Sequence, residues 1–132
     1  MNTAYFLDCV AGNLFGTKAD PAMPTEYYIG LSTTEPNSNG GNVGEPSGGG
    51  YSRIKLNNLG APVDGVVTNG NNIDFNESTS SWGTVSYFTI YDSLTGGNLL
   101  MYGALSAPRS IEAATIMTIK AGDLKLSIQN PN

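Results

Sequence analysis

Ser81-Trp-Gly-Thr-Val-Ser-Tyr-Phe-Thr-Ile-Tyr-Asp92 is the stretch that decides the fold. It is rich in aromatic and β-branched residues, and simple alternation sets Val85, Tyr87 and Tyr91 on one side and Phe88 and Ile90 on the other. Both sides are largely apolar, which predicts a strand covered on two faces rather than an edge strand with one wet face. Thr95-Gly-Gly97 then turns the chain into a second two-sided apolar run, Asn98-Leu-Leu-Met-Tyr-Gly-Ala-Leu-Ser106. The pair reads as a hairpin with a loop of about four residues, broken at Ala107-Pro108 because proline has no ladder N–H.

The same reading extends in both directions. Upstream, Glu26 to Thr33 is a strand rich in tyrosine and β-branched residues. Tyr51 to Leu56 is another, with Ile54 and Leu56 on a core face and Arg53 and Lys55 on the opposite, half-exposed face. Val63 to Thr68 and Asn72 to Asn76 are shorter candidates, joined by Asn69-Gly70 as a type I′ hairpin turn. Downstream, Ala114 to Lys120 is followed by Leu124-Lys-Leu-Ser-Ile128, whose alternation points Leu124, Leu126 and Ile128 inward. The one helical pattern is at the start: Phe6, Leu7, Val10, Ala11 and Leu14 recur at helical spacing within Asn2 to Phe15, with Asn2 or Thr3 as N-cap and Gly16 as a stop. Such a helix either covers its own sheet or packs on a neighbouring subunit.

These elements predict an all-β fold, an antiparallel sandwich or jelly-roll-like arrangement with one N-terminal amphipathic helix. We read one domain over residues 1–132, with the helix at 2–15, the sandwich at 26–129 and an exposed Gly/Asn-rich loop at 35–50. That loop is Pro, Asn, Ser and Gly with almost nothing apolar except Val43, and it ends in Gly48-Gly-Gly50. Shortening it between Asn37 and Gly44 is therefore expected to leave the fold intact.

Composition narrows function. The net charge of −5, with six scattered Lys and Arg residues, supplies no basic stripe for a phosphate backbone, so no nucleic acid is expected as partner. The apolar runs fall far short of the roughly 20 residues that span a bilayer, and Met1 to Gly12 carries Asp8 without a basic region, so neither membrane insertion nor conventional secretion is expected. The chain has no His, which removes the commonest general base and metal ligand. With the single Cys9, set among Phe6, Leu7, Val10 and Leu14, no His/Cys zinc site can be built and no internal disulfide can form. Cys9 reads as a buried small hydrophobe rather than a reactive thiol, and no calcium-loop motif is present.

Asp74, Glu77 and Asp92 near Trp82 are the only carboxylates that suggest a glycosidase, and each also suits a turn or strand end. Gly40 to Gly50 lacks the Gly-Lys-Ser/Thr ending of a phosphate loop. No catalytic, cofactor or metal residue is assigned. The candidate ligand or partner contacts are Trp82, Tyr51, Arg53, Asn39 and Asn42, with Trp82 reading as packing ahead of ligand stacking. The candidate oligomer contacts are Phe6, Leu7, Val10 and Leu14 on the helix.

Taken in order, the N-terminal helix, Tyr28-Ile-Gly-Leu-Ser-Thr-Thr-Glu-Pro36, a variable loop, Ser47-Gly-Gly-Gly-Tyr-Ser-Arg53, the stretch Ser81 to Asp92 and Gly96-Gly-Asn-Leu-Leu-Met-Tyr-Gly-Ala-Leu105 resemble a family of small tailed-bacteriophage virion proteins. Its members are described as tail fibre or minor structural proteins, and the resemblance runs nearly end to end. It implies a non-enzymatic subunit of a tail fibre, baseplate or appendage, acting in assembly or host attachment. The expected partners are other copies of the chain, a trimer being one arrangement, other virion proteins and a host-surface glycan. The expected location is the virion, assembled in the bacterial cytoplasm. A head decoration or neck protein and a carbohydrate-binding module are the alternatives, and residues 37–45 match no motif of the family.

Overall fold

The computed structural model describes residues 1–15, 25–57 and 59–127; Gly16, the bridge at 20–24 and Ile128 lie outside them. The elements are α1 (Ala4–Phe15), β1 (Tyr28–Ser32), β2 (Ile54–Lys55), β3 (Val66–Thr68), β4 (Ile73–Asp74), β5 (Gly83–Tyr91), β6 (Leu99–Ile111), β7 (Thr118–Ile119) and β8 (Lys125–Ser127). The fold is all-β and antiparallel with one short N-terminal helix, as the sequence predicts. The strands form a four-stranded sheet in the order β2-β1-β5-β6 and two ribbons, β3–β8 and β4–β7.

The β5–β6 pair is longer and less regular than simple alternation suggests. Val85 pairs with Arg109 but Tyr87 pairs with Ala104, so β6 carries extra residues between these two points. A bulge of this kind reverses which side the next residues face. Val85 therefore joins Phe88 and Ile90 in the main core, while Tyr91 packs with Leu99 and Tyr102 in a second cluster. The expected grouping of Val85 with Tyr87 and Tyr91 is corrected accordingly. Pro108 falls inside the bulge, where no ladder bond is required, so β6 continues to Ile111 instead of ending at Ala107-Pro108. The connection between the strands is residues 92–98, longer than the short turn expected.

The Asn69-Gly70 hairpin does not form. The tight turn is Asp64-Gly65, with φ of 52° and 79°, closed by reciprocal bonds between Val63 and Val66 of 2.9 and 3.0 Å. β3 and β4 do not pair with each other; they pair with β8 and β7. Buried Asn69 joins the two ribbons instead. Its side chain donates to Asn71 O and Lys120 O, both at 2.9 Å, and accepts from Gly122 N–H and Leu124 N–H, both at 3.0 Å.

Thr3 caps the helix: its carbonyl accepts from Leu7 N–H at 3.1 Å and its hydroxyl from Phe6 N–H at 3.3 Å. Met1 to Thr3 run along the outer edge of β6, with Asn2 bridged to Met101 and Thr3 N–H bonded to Leu100 O at 2.9 Å. The helix thus covers its own sheet. Phe6 and Cys9 are buried, and Tyr5 and Val10 pack on the core. Phe6 and Val10 thus pack on their own sheet, whereas Leu14 and Phe15 are 71% and 74% exposed.

Candidate functional site

The Gly/Asn-rich loop at 35–50 is docked onto the fold along part of its length. Pro36 is fully buried and Val43 packs on the Tyr91, Leu99 and Tyr102 cluster. Ser38 O accepts from Ala4 N–H at 2.9 Å, at the start of the helix. Gly44 O accepts from Thr33 N–H at 3.0 Å, and Gly44 N–H donates to Ser32 Oγ at 2.9 Å. These bonds deliver Glu45 to the sheet.

The three glycines at 48–50, all at positive φ, then reverse the chain and bring Tyr51 and Arg53 back over it. Trp82, 6% exposed, donates from Nε1 to Gly49 O at 2.8 Å and packs edge-on to Tyr51 at 5.3 Å between ring centres. Tyr51 Oη donates to Glu45 Oε2 at 2.6 Å and accepts from Leu31 N–H at 3.0 Å. Arg53 forks onto the same carboxylate, Nε to Oε2 and Nη2 to Oε1, both at 2.8 Å. Its Nη1 donates to Ser93 O and Gly96 O, each at 2.8 Å, and the guanidinium lies 3.6 Å over the Tyr91 ring. Gly30 lies under the cluster; a Cβ there would stand 2.7 Å from Tyr51 Oη, 2.8 Å from Thr89 Oγ1 and 3.0 Å from Glu45 Oε2.

The expectation that Arg53 shares a solvent face with Lys55 is therefore wrong: Arg53 is 7% exposed while Lys55 pairs with Glu26 on the surface. Burial opposes the Arg53 charge, but the Glu45 carboxylate more than compensates and holds it above its ordinary range. Burial and then the Glu45 bond push the Tyr51 phenol far above the usual value of 10.0. A raised phenol contributes stability that is complete below the unfolded value and is lost as pH rises past it. The urea midpoint is thus expected to fall above pH 10.0, and Tyr51→Phe to make that fall shallower, as titration of the midpoint would show.

The structure brings Tyr51, Arg53 and Trp82 together, as a clamp that fixes the 45–53 segment and the β5–β6 loop. Trp82 is consequently not free to stack on a sugar. Asn39 and Asn42, both exposed, shape the loop: Asn39 Oδ1 accepts from Gly41 N–H at 2.9 Å, and Asn42, at φ 59°, donates to Glu35 O at 2.7 Å. Two of the carboxylates near Trp82 in sequence are structural: Asp74 accepts from Thr118 Oγ1 at 2.6 Å across β4–β7, and Asp92 accepts from Asn98 N–H at 2.8 Å within the hairpin loop, while Glu77 is exposed. Among the described residues, no group of three or more His, Cys, Asp or Glu side chains is placed to hold a metal, and no helix is long and apolar enough to cross a membrane.

Among the described residues, the open features include two whose walls come from distant segments, which is why sequence reading missed them. A cleft of about 390 Å³ opens between the main sheet and the β3–β8 ribbon, walled by Phe6, Tyr27, Leu56, Val67, Met101 and Leu126. A smaller recess of about 200 Å³ lies over the clamp, between the 45–53 segment and residues 94–96.

Fold and site together define a small all-β protein with one N-terminal helix, in which the buried ion pair ties down its own loops. The chain belongs to the family of the podophage GP4 fiber I protein gp80, whose model matches residues 4–127. This is a phage fibre family, and membership makes the chain a virion component. No curated protein matches the sequence.

Proposed function

We propose that the chain is a non-enzymatic structural subunit of a phage tail fibre that assembles with copies of itself and with other virion proteins. The observation that carries the reading beyond family membership is the open apolar cleft beside the helix. Apolar walls of this extent are unfavourable in water and mark surfaces that meet another chain. The exposed Leu14 and Phe15 at the end of the same helix supply apolar side chains of the kind that would fill such a cleft in a neighbouring copy. A closed ring of copies, a trimer among the options, follows if the rotation between neighbours closes. Host attachment is the companion role: the clamp holds the loops at 45–53 and 92–98 in fixed shape at one end of β5 and β6. A non-enzymatic role is supported by the chain's lack of His and by the engagement of Glu45, Tyr51 and Arg53 with one another.

Light scattering on the purified chain tests this. The native protein is expected to run as a homo-oligomer, and Leu14→Asp with Phe15→Asp to shift it to a monomer that still unfolds cooperatively, at a lower midpoint set by the lost assembly, because both side chains are solvent-facing in the single chain. A native protein that stays monomeric up to millimolar concentration would count against self-assembly.

A further inference from the structure

We infer that the recess over the clamp is a binding site for one ring of a neutral, hydroxyl-rich ligand, a saccharide unit. The inference extends the fibre reading to an attachment function and rests on that reading for its biological setting. Its physical case is independent of it.

The recess measures about 200 Å³ and is lined by Glu45, Pro46, Ser52, Arg53, Leu94 and Thr95, together with Tyr51 and Gly96. Its floor is rigid. Arg53 holds Glu45 on one side and the backbone of Ser93 and Gly96 on the other, so both walls are fixed before any ligand arrives and little ordering remains to be done. Its charge is balanced. The carboxylate and the guanidinium lie 2.8 Å apart, so an incoming anion meets Glu45 as soon as it meets Arg53, and a cation meets the reverse. A neutral ligand suffers neither penalty.

Yet the pair still offers hydrogen bonds. A guanidinium has five N–H donors; four are engaged, which leaves an Nη2–H, and the Glu45 oxygens retain lone pairs. The Thr95 hydroxyl adds a group that both donates and accepts, and the Ser52 hydroxyl, which donates to Arg53 O at 3.2 Å, adds an acceptor. Leu94, 48% exposed, and Pro46 contribute apolar surface. Donors, acceptors and a small apolar wall together match a sugar ring, which presents hydroxyls at its edge and C–H groups on its face. The volume is below that of sites for larger ligands, which limits the site to a single ring. The aromatic surface is limited, since Trp82 and Tyr91 are buried and Tyr51 is half-buried against Trp82, so affinity in the millimolar range is expected.

Saturation-transfer difference NMR on the full chain tests the site, using D-glucose, D-galactose, N-acetyl-D-glucosamine and L-rhamnose in turn. Transfer to the ring protons of at least one sugar is expected, with the signal falling about tenfold in Thr95→Trp, which fills the recess. Thr95 is exposed, so the variant should fold, and its melting curve checks this. Ile116→Trp, at an exposed position outside the recess, should keep the signal. Silence from all four sugars, an undiminished signal in Thr95→Trp, or displacement of the sugar by millimolar inorganic phosphate would each overturn the assignment. Sugar binding by a protein that stays monomeric would uphold this site while removing the self-assembly proposed above.

Discussion

Arg53→Ala is expected to lower the unfolding free energy by about 3–5 kcal/mol, the cost of leaving a buried charge without its partner. The guanidinium is 7% exposed and supplies both bonds of the fork to Glu45, so truncation leaves that carboxylate partly buried with only Tyr51 as a donor. It also frees Ser93 O and Gly96 O and removes the cation over Tyr91. Domains of ordinary stability have about 5–15 kcal/mol in all, so the variant should be marginal at 37 °C. Arg53→Lys should recover little, because an ammonium is a point donor and cannot reproduce a two-pronged contact with bonds to two separate carbonyls. The paired change Glu45→Gln with Arg53→Met should cost less than Arg53→Ala alone, since it removes both charges together. Urea unfolding of the four proteins measures all of this. Equal midpoints for native protein and Arg53→Ala would show that the clamp is incidental.

The same residues show what sequence can and cannot reveal. The helix was legible from its hydrophobic period and the long strands from their runs of aromatic and β-branched residues between turn formers, and the antiparallel class followed from short strands and frequent turns. The register of β5 on β6 was not legible. A strand apolar on both faces keeps its pattern when it slips by one residue, so nothing in the sequence from Ser81 to Asp92 marks the bulge after Val85. The choice between two turn dipeptides was also hidden. Asp64-Gly65 and Asn69-Gly70 have the same positive-φ chemistry, and pairing of β3 with the distant β8 decided between them. Tyr51, Arg53 and Trp82 were recognisable as notable residues. Their joint role was not, because Arg53 finds Glu45 eight residues back and carbonyls forty or more residues ahead. Alternation alone assigned it to solvent.

Deleting residues 37–44 is expected to destabilise the chain by about 4 kcal/mol, against the expectation from composition that the segment is dispensable. Composition counts apolar residues and finds Val43 alone, but position gives that one side chain a large effect. It packs half-buried on the Tyr91, Leu99 and Tyr102 cluster, and contributes part of the roughly 1.5–3 kcal/mol that full burial of a valine would give. The backbone adds the remainder: Ser38 O holds Ala4 N–H, and Gly44 bonds Thr33 and Ser32, at about 0.5–1.5 kcal/mol for each hydrogen bond lost. The entropy recovered by shortening a loop is small in comparison, near 0.6 kcal/mol for each halving of its length. A second consequence separates this account from a general loss of packing. Glu45 follows Gly44 directly, so the deletion should also loosen the clamp, and hydrogen exchange at Leu31, whose N–H donates to Tyr51 Oη, should quicken along with that at Ala4. Val43→Ala, which keeps the backbone in place, should carry only the apolar share of the loss and leave exchange at Ala4 unchanged. If the deletion variant unfolds at the native urea midpoint, the docked loop contributes nothing to stability and the reading from composition is the better one.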